Sequence, residues 1–137
     1  MKHLALVLVL AGLSANAAAS WERVGGNKEG RGFYAYVDRA TIRKSGSRVE
    51  MGVLINFKTA QTDSPDSKPY LSSKGQVECD CKDERIRTLA VSFYSRRLGE
   101  GAVVYSTSDP DEWQPVSPDS IGETLWKVAC GKQSSLQ

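Results

Sequence analysis

Between residues 49 and 58 the chain alternates with a period of two. Val49, Met51, Val53, Ile55 and Phe57 are apolar throughout, whereas Glu50, Gly52, Leu54, Asn56 and Lys58 are mixed. Successive side chains of a strand point to opposite sides, so this segment predicts a strand with one buried face and one mostly wet face. The pattern returns at 76–82, where Val77, Cys79 and Cys81 face inward and Glu78, Asp80 and Lys82 outward. It returns again at 85–94, where Leu89, Val91 and Phe93 share a side. Shorter β-favouring runs lie at 21–24, 33–37, 42–44 and 102–106. Punctuation falls between them: a break at Gly25-Gly26-Asn27, a tight turn or a single helical turn over 38–41, a hairpin signal at Ser45-Gly46-Ser47, and turns at Asp83-Glu84 and 96–101. Residues 59–72 are polar and contain Pro65 and Pro69, which predicts the longest loop.

Near the end the period changes. Ile121, Leu125 and Val128 recur at helical spacing and Leu125 with Ala129 repeats it, giving an apolar stripe that packs on the sheet. Ser117 is read as the N-cap, Pro118 as the first helical residue and Asp119 as complementing the helix dipole. Gly131 stops the helix just after Cys130.

The first residues carry a different message. Lys2 and His3 precede an apolar run over 4–13, and Ala15-Asn16-Ala17 and Ala17-Ala18-Ala19 offer small-x-small cleavage sites. That order is the anatomy of a secretory leader. The run is shorter than the roughly 20 apolar residues a membrane span needs. The expected organisation is therefore a leader over 1–19 and a single exported domain over 20–137, with no transmembrane segment in the mature chain. No cysteine lies near the cleavage region to accept a lipid.

Loss of the leader removes Lys2 and takes the formal charge from +2 to about +1. Nucleic-acid binders usually carry a strong basic excess, so that partner class is set aside. The sole histidine is His3, so the mature chain has none for Ser-His-Asp or Cys-His nucleophiles, or for an imidazole zinc site. Phosphate-loop and dinucleotide fingerprints are missing as well. These readings predict no catalytic residues, no metal site and no cofactor. The acidic loop of Asp109, Asp111 and Glu112 reads as a solvated turn rather than an acid/base pair.

In an oxidising compartment two of the three cysteines, Cys79, Cys81 and Cys130, should pair. Cys79 and Cys81 point the same way along one strand and are poorly placed for each other. A bridge from one of them to Cys130 closes a loop of about 50 residues, worth about 4 kcal/mol in the chain-entropy model. The remaining thiol suits a buried core position. Basic side chains form the other candidate surface. Arg85 and Arg87 on one strand and Arg96 and Arg97 in the next turn, with Lys68 and Lys74 nearby, would attract an acidic protein or polysaccharide if gathered into a patch. Spread over a wet sheet face, they would only keep it soluble. Trp113 and Trp126 read as packing residues, the first capping the core and the second at the margin of the helix stripe.

Several short motifs in this order resemble the bacterial surface-adhesin protein E family. They are Tyr34-Ala35-Tyr36-Val37-Asp38 with Thr41-Ile42, the stretch 70–74, Asp80-Cys81, Phe93-Tyr94 through Gly99-Glu100-Gly101, Asp111-Glu112-Trp113, Pro118-Asp119-Ser120-Ile121, Leu125-Trp126 and Ala129-Cys130. The resemblance implies an α+β fold, an antiparallel sheet of about six strands with one C-terminal helix tied to the sheet by a disulfide. It also implies that the paired cysteines are Cys81 and Cys130. For function it implies a non-enzymatic envelope adhesin that binds host extracellular-matrix proteins and forms homodimers. The alternative is a soluble periplasmic protein that binds an envelope component or inhibits a hydrolase. Either way the expected location is the periplasm, the cell surface or the medium.

Overall fold

The computed structural model describes residues 19–27 and 32–131. The leader expected over 1–19 lies outside the described residues except for Ala19. Six antiparallel strands follow one another across one sheet: β1 (Glu22–Asn27), β2 (Phe33–Ser45), β3 (Arg48–Gln61), β4 (Tyr70–Asp80), β5 (Arg85–Tyr94) and β6 (Val103–Thr107). A two-residue strand, β7 (Gln114–Pro115), pairs with the start of β5, and helix α1 (Ile121–Cys130) follows it. The expected α+β architecture is the observed one.

Local chemistry explains where the strands run further than their apolar pattern. β1 continues through Gly25 and Gly26, which pair with Ala35 and Tyr34, so the expected break there is a paired strand. β2 spans the expected turn over 38–41 as an irregularity in its register with β3, between Asp38 and Arg43. Asp38 Oδ1 accepts the Ala40 amide at 3.1 Å, and Thr41 Oγ1 accepts the Gly52 amide at 2.7 Å, so side chains replace the ladder bonds lost there. β3 and β4 absorb both ends of the polar stretch at 59–72, leaving 62–69 as the loop.

One sheet face carries the core. Ala35, Val37, Val49, Met51, Val53 and Cys79 are buried there against Leu125, Trp126 and Ala129 of α1. Each fully buried aliphatic of this kind contributes about 1.5–3 kcal/mol. Trp126 is not at the margin of the stripe: only 6% of it is exposed, and its Nε1 donates to the Asp80 carbonyl at 3.0 Å. The N-cap of α1 is Ser120 rather than Ser117, with Ser120 Oγ accepting the Glu123 amide at 3.1 Å. Asp119 has φ +57°, which takes the preceding residues out of the helical path. Gly131 ends the helix in the left-handed conformation, as its position predicts.

Cys81 and Cys130 form the disulfide, with Cα atoms 5.5 Å apart. Cys81 lies just past β4, in the turn to β5, and its amide donates to the Ser47 carbonyl at 2.8 Å. Cys79, still on β4, is fully buried; burial, helped by the neighbouring Glu78 charge, pushes its thiol up to about 12. That thiol stays protonated and inert at any physiological pH.

The turn after Cys81 is organised by Asp80. Its Oδ1 accepts the amides of Lys82 and Asp83, both at 3.1 Å, and its Oδ2 accepts Arg85 Nε at 3.1 Å. The Asp83 amide is the foremost cause holding the carboxyl below the usual carboxylate range, with Arg85 and the Lys82 amide adding to it. A carboxyl with a depressed folded-state pKa stabilises the fold above its unfolded value of about 3.9, and that stability is lost as pH falls through the folded value. Asp80→Asn is therefore expected to lower the Tm at pH 7 relative to the parent, and the difference should close in acid. Paired thermal melts from pH 7 to pH 2 check this; a gap that stays constant across the range would refute it.

Candidate functional site

The opposite sheet face has no helix over it. By register, Tyr34 and Tyr36 of β2, Leu54 and Asn56 of β3, Lys74, Gln76 and Glu78 of β4, and Arg87, Ser92 and Tyr94 of β5 all point to this side. One end of it is covered by the connection from β5 to β6. There a 3-10 turn at Arg97–Gly99 folds back onto β3 and β4. Asn56 Oδ1 accepts the Leu98 amide at 2.7 Å. Ser72 Oγ accepts the Gly99 amide at 2.8 Å and donates to the Arg96 carbonyl at 2.5 Å. Leu98 and Gly99 both have positive φ, 58° and 71°, which is how so tight a fold-back is made. Asn56 and Ser72 are buried polar residues whose role was not apparent from the strand pattern. The signal was an Asn and a Ser on wet-face positions of central strands, opposite a Gly-rich turn later in the chain.

The six basic residues singled out from the sequence occupy three places. Arg85 and Arg87 lie together at the start of β5 and are paired with carboxylates. Arg85 Nε is 3.1 Å from Asp80 Oδ2, and Arg87 Nη2 is 2.8 Å from Glu78 Oε1. Lys74, Arg96 and Arg97 lie at the other end of the face, where Arg97 Nη2 donates to the Lys58 carbonyl at 2.8 Å. Lys68 is in the 62–69 loop and pairs with Asp66 at 3.4 Å.

Aromatic rings carry most of the remaining cations on this side. Trp113 does not cap the core; it lies over the outer face, with the guanidinium carbons of Arg85, Arg87 and Arg48 at 4.5, 4.6 and 5.3 Å from its ring centroid. β7 sets it there by pairing Gln114 and Pro115 with Ile86 and Arg85. Lys74 Nζ is 5.0 Å from the Tyr94 ring, and Arg23 and Lys58 flank Tyr34 at 3.9 and 5.7 Å. At these distances the attraction is about 0.5–1 kcal/mol where the pair is solvated, enough to orient a long side chain without neutralising it. Among the described residues Arg23, Arg48, Lys58 and Lys74 have no carboxylate partner.

Between β4, β5 and β6 the same face has an open groove of about 420 Å³. Lys74, Gln76, Ser92, Ser106 and Ser108 line it, and Gly75 and Ala90 form its floor. Ser92 Oγ and Ser106 Oγ hydrogen-bond each other across the strands at 2.8 Å. A smaller cavity, about 130 Å³, lies on the core side of the same floor, between β4, β5 and the first turns of α1. Among the described residues no three His, Cys, Asp or Glu side chains gather where they would hold a metal ion.

A family model described as surface-adhesin protein E matches residues 21–131. The chain belongs to that family. Solved structures of Haemophilus influenzae protein E share the fold. One aligns at a TM-score of 0.56 with 15% identity, covering 83% of this chain and 86% of that one. A second crystal form gives a TM-score of 0.57 at 15% identity, covering 83% and 94%. Protein E from a non-typeable H. influenzae gives 0.55 at 15% identity, covering 85% and 79%. No curated protein matches by sequence. The family's motifs in this chain are now physical features. Gly99-Glu100-Gly101 belongs to the fold-back turn, Trp113 to the stacked cations, and Asp80-Cys81 with Ala129-Cys130 to the clamp between helix and sheet.

Proposed function

We propose that this protein is an exported, non-enzymatic binding protein of the bacterial envelope whose helix-free sheet face engages extracellular-matrix proteins of a host. The observation that carries the reading is the asymmetry of the sheet. One side is closed by a helix held covalently, and the other presents Arg23, Arg48, Lys58 and Lys74, kept in place by aromatic rings and without a carboxylate partner among the described residues. Cationic side chains held at fixed positions steer an acidic partner and then contact it with little further ordering cost. The thiol outside the disulfide is buried and protonated, so it supplies no nucleophile. Membership of the surface-adhesin protein E family supports the same reading. It includes self-association: among the described residues β6 ends the sheet without a further strand beyond it, and Val103 is 56% exposed, which offers strand pairing to a second copy.

Purified mature protein titrated onto a panel of immobilised matrix proteins at physiological salt should bind at least one of them saturably. Replacement of Arg48 and Lys74 together should weaken that binding by about tenfold or more. Absence of saturable binding to the whole panel, with the protein confined to the periplasmic fraction of cells, would replace this reading with that of a periplasmic protein acting on an envelope component or a hydrolase.

A further inference from the structure

We infer that the groove between β4, β5 and β6 is a saccharide site for an acidic sugar, a hydroxyl-bearing ring with one carboxylate. This rests on the binding-protein reading above and adds the ligand class and the place. The groove's volume, about 420 Å³, falls within the range of small-ligand sites. Over a floor of Gly75 and Ala90, its polar lining is the side chains of Ser92, Ser106, Ser108, Gln76 and Lys74, with no carboxylate among them. A sugar ring presents hydroxyls that both donate and accept, and hydroxyl and amide side chains are the groups that can answer either way. The Ser92–Ser106 pair uses one hydrogen and one lone pair between its two oxygens, leaving a hydrogen and three lone pairs for a ligand.

Lys74 decides the charge of that ligand. Lys74 borders the groove, its ammonium lying beside Gly99 of the fold-back turn and 5.0 Å from the Tyr94 ring, with no counter-carboxylate among the described residues. One cation beside neutral hydroxyls suits a single negative charge better than a polyphosphate, which calls for several cations. The floor is also built for close approach. Gly75 and Ala90 make up that floor, and the single methyl of Ala90 on this face lets a ring come close to the main chain.

The test is a ¹H–¹⁵N titration of the mature chain at physiological salt with a glucuronate-containing tetrasaccharide, beside an uncharged tetrasaccharide of equal length. Saturable shifts are expected at Gly75, Gln76, Ala90, Ser92, Ser106 and Ser108, with about tenfold weaker binding of the uncharged sugar. Lys74→Gln should weaken the acidic sugar about tenfold, and the double change Ser92→Ala with Ser106→Ala should do at least as much, while the spectra keep a folded dispersion. A matrix glycoprotein compared before and after enzymatic removal of its acidic sugars separates the two sources of such a ring. Loss of binding on trimming assigns the sugar to a protein glycan, and unchanged binding beside a saturating free tetrasaccharide assigns it to a polysaccharide. No saturation by about 10 mM acidic sugar, or shifts confined to Arg48, Arg87 and Trp113, overturns the saccharide site. Saturable matrix-protein binding measured in parallel would leave the adhesin reading standing in that event.

Discussion

Replacing both Cys81 and Cys130 with serine is expected to lower the unfolding free energy by about 4 kcal/mol, or the Tm by about 15 °C. The two cysteines are 49 residues apart in sequence, so the bridge removes much of the freedom of the unfolded chain. The native state should feel the loss as well. Asp80, immediately before Cys81, accepts the Trp126 indole, and Trp126 lies one helical turn before Cys130. Covalent bond and hydrogen bond thus fasten the same two segments, and removing the first lets the second fray. Urea denaturation followed by tryptophan fluorescence measures both, because Trp126 reports release of the helix from the sheet. Cys79→Ala should be the background for parent and variant, so that no other disulfide forms. A midpoint unchanged within error would show that helix docking does not depend on the bridge.

Gly75→Ala is expected to cost about 3 kcal/mol, the upper end of what an added methyl costs in a packed interior. The reason is what the methyl would strike. An ideal Cβ at this position lies 2.2 Å from the Ala90 carbonyl oxygen and 3.0 Å from the Val91 Cα, both main-chain atoms that cannot rotate away. The site is where β4 and β5 slip register between Gln76 and Val77, leaving Leu89 outside the pairing of Ala90 with Gln76 and Thr88 with Val77. Relief would require the bulge itself to move, and with it the ladder on either side. Gly122→Ala in α1 is the matched control. A Cβ there meets Ile86 Cγ2 at 3.4 Å, ordinary contact, and alanine is the better helix former by up to about 1 kcal/mol. The two variants should therefore shift the urea midpoint in opposite directions, and a shift in the same direction would count against the argument.

The framework was legible wherever alternation met burial. Val49, Met51, Val53 and Ile55 announce β3, the β-favouring run Arg85–Tyr94 coincides with β5, and the helix stripe of Leu125 and Ala129 packs as its spacing says. Strand ends were harder, because residues such as Thr59 and Ala60 hold their place through backbone pairing that needs no apolar side chain. The helix start was ambiguous for a specific reason. Ser117-Pro118-Asp119 carries strong opening signals, yet Ser120 followed three residues later by Glu123 is also a capping pattern, and it is the one used. Trp113 escaped because its partners, Arg48 and Arg85, come from distant parts of the chain, and no local pattern brings three guanidinium groups to one ring. The groove escaped for the same reason: Lys74, Ser92 and Ser106 become neighbours only through strand register.

The position of Cys79 has a consequence for biogenesis. If the chain is exported as proposed, then while it is being oxidised Cys79 and Cys81, two residues apart, compete for Cys130 on nearly equal terms, since the loops they would close are almost the same length. Only completion of β4 withdraws Cys79 from the contest by shutting it inside the core. Native yield therefore depends on strand pairing outrunning oxidation, or on an isomerase that reopens the wrong bond, and a cell lacking such an enzyme would accumulate a misbridged, protease-sensitive form.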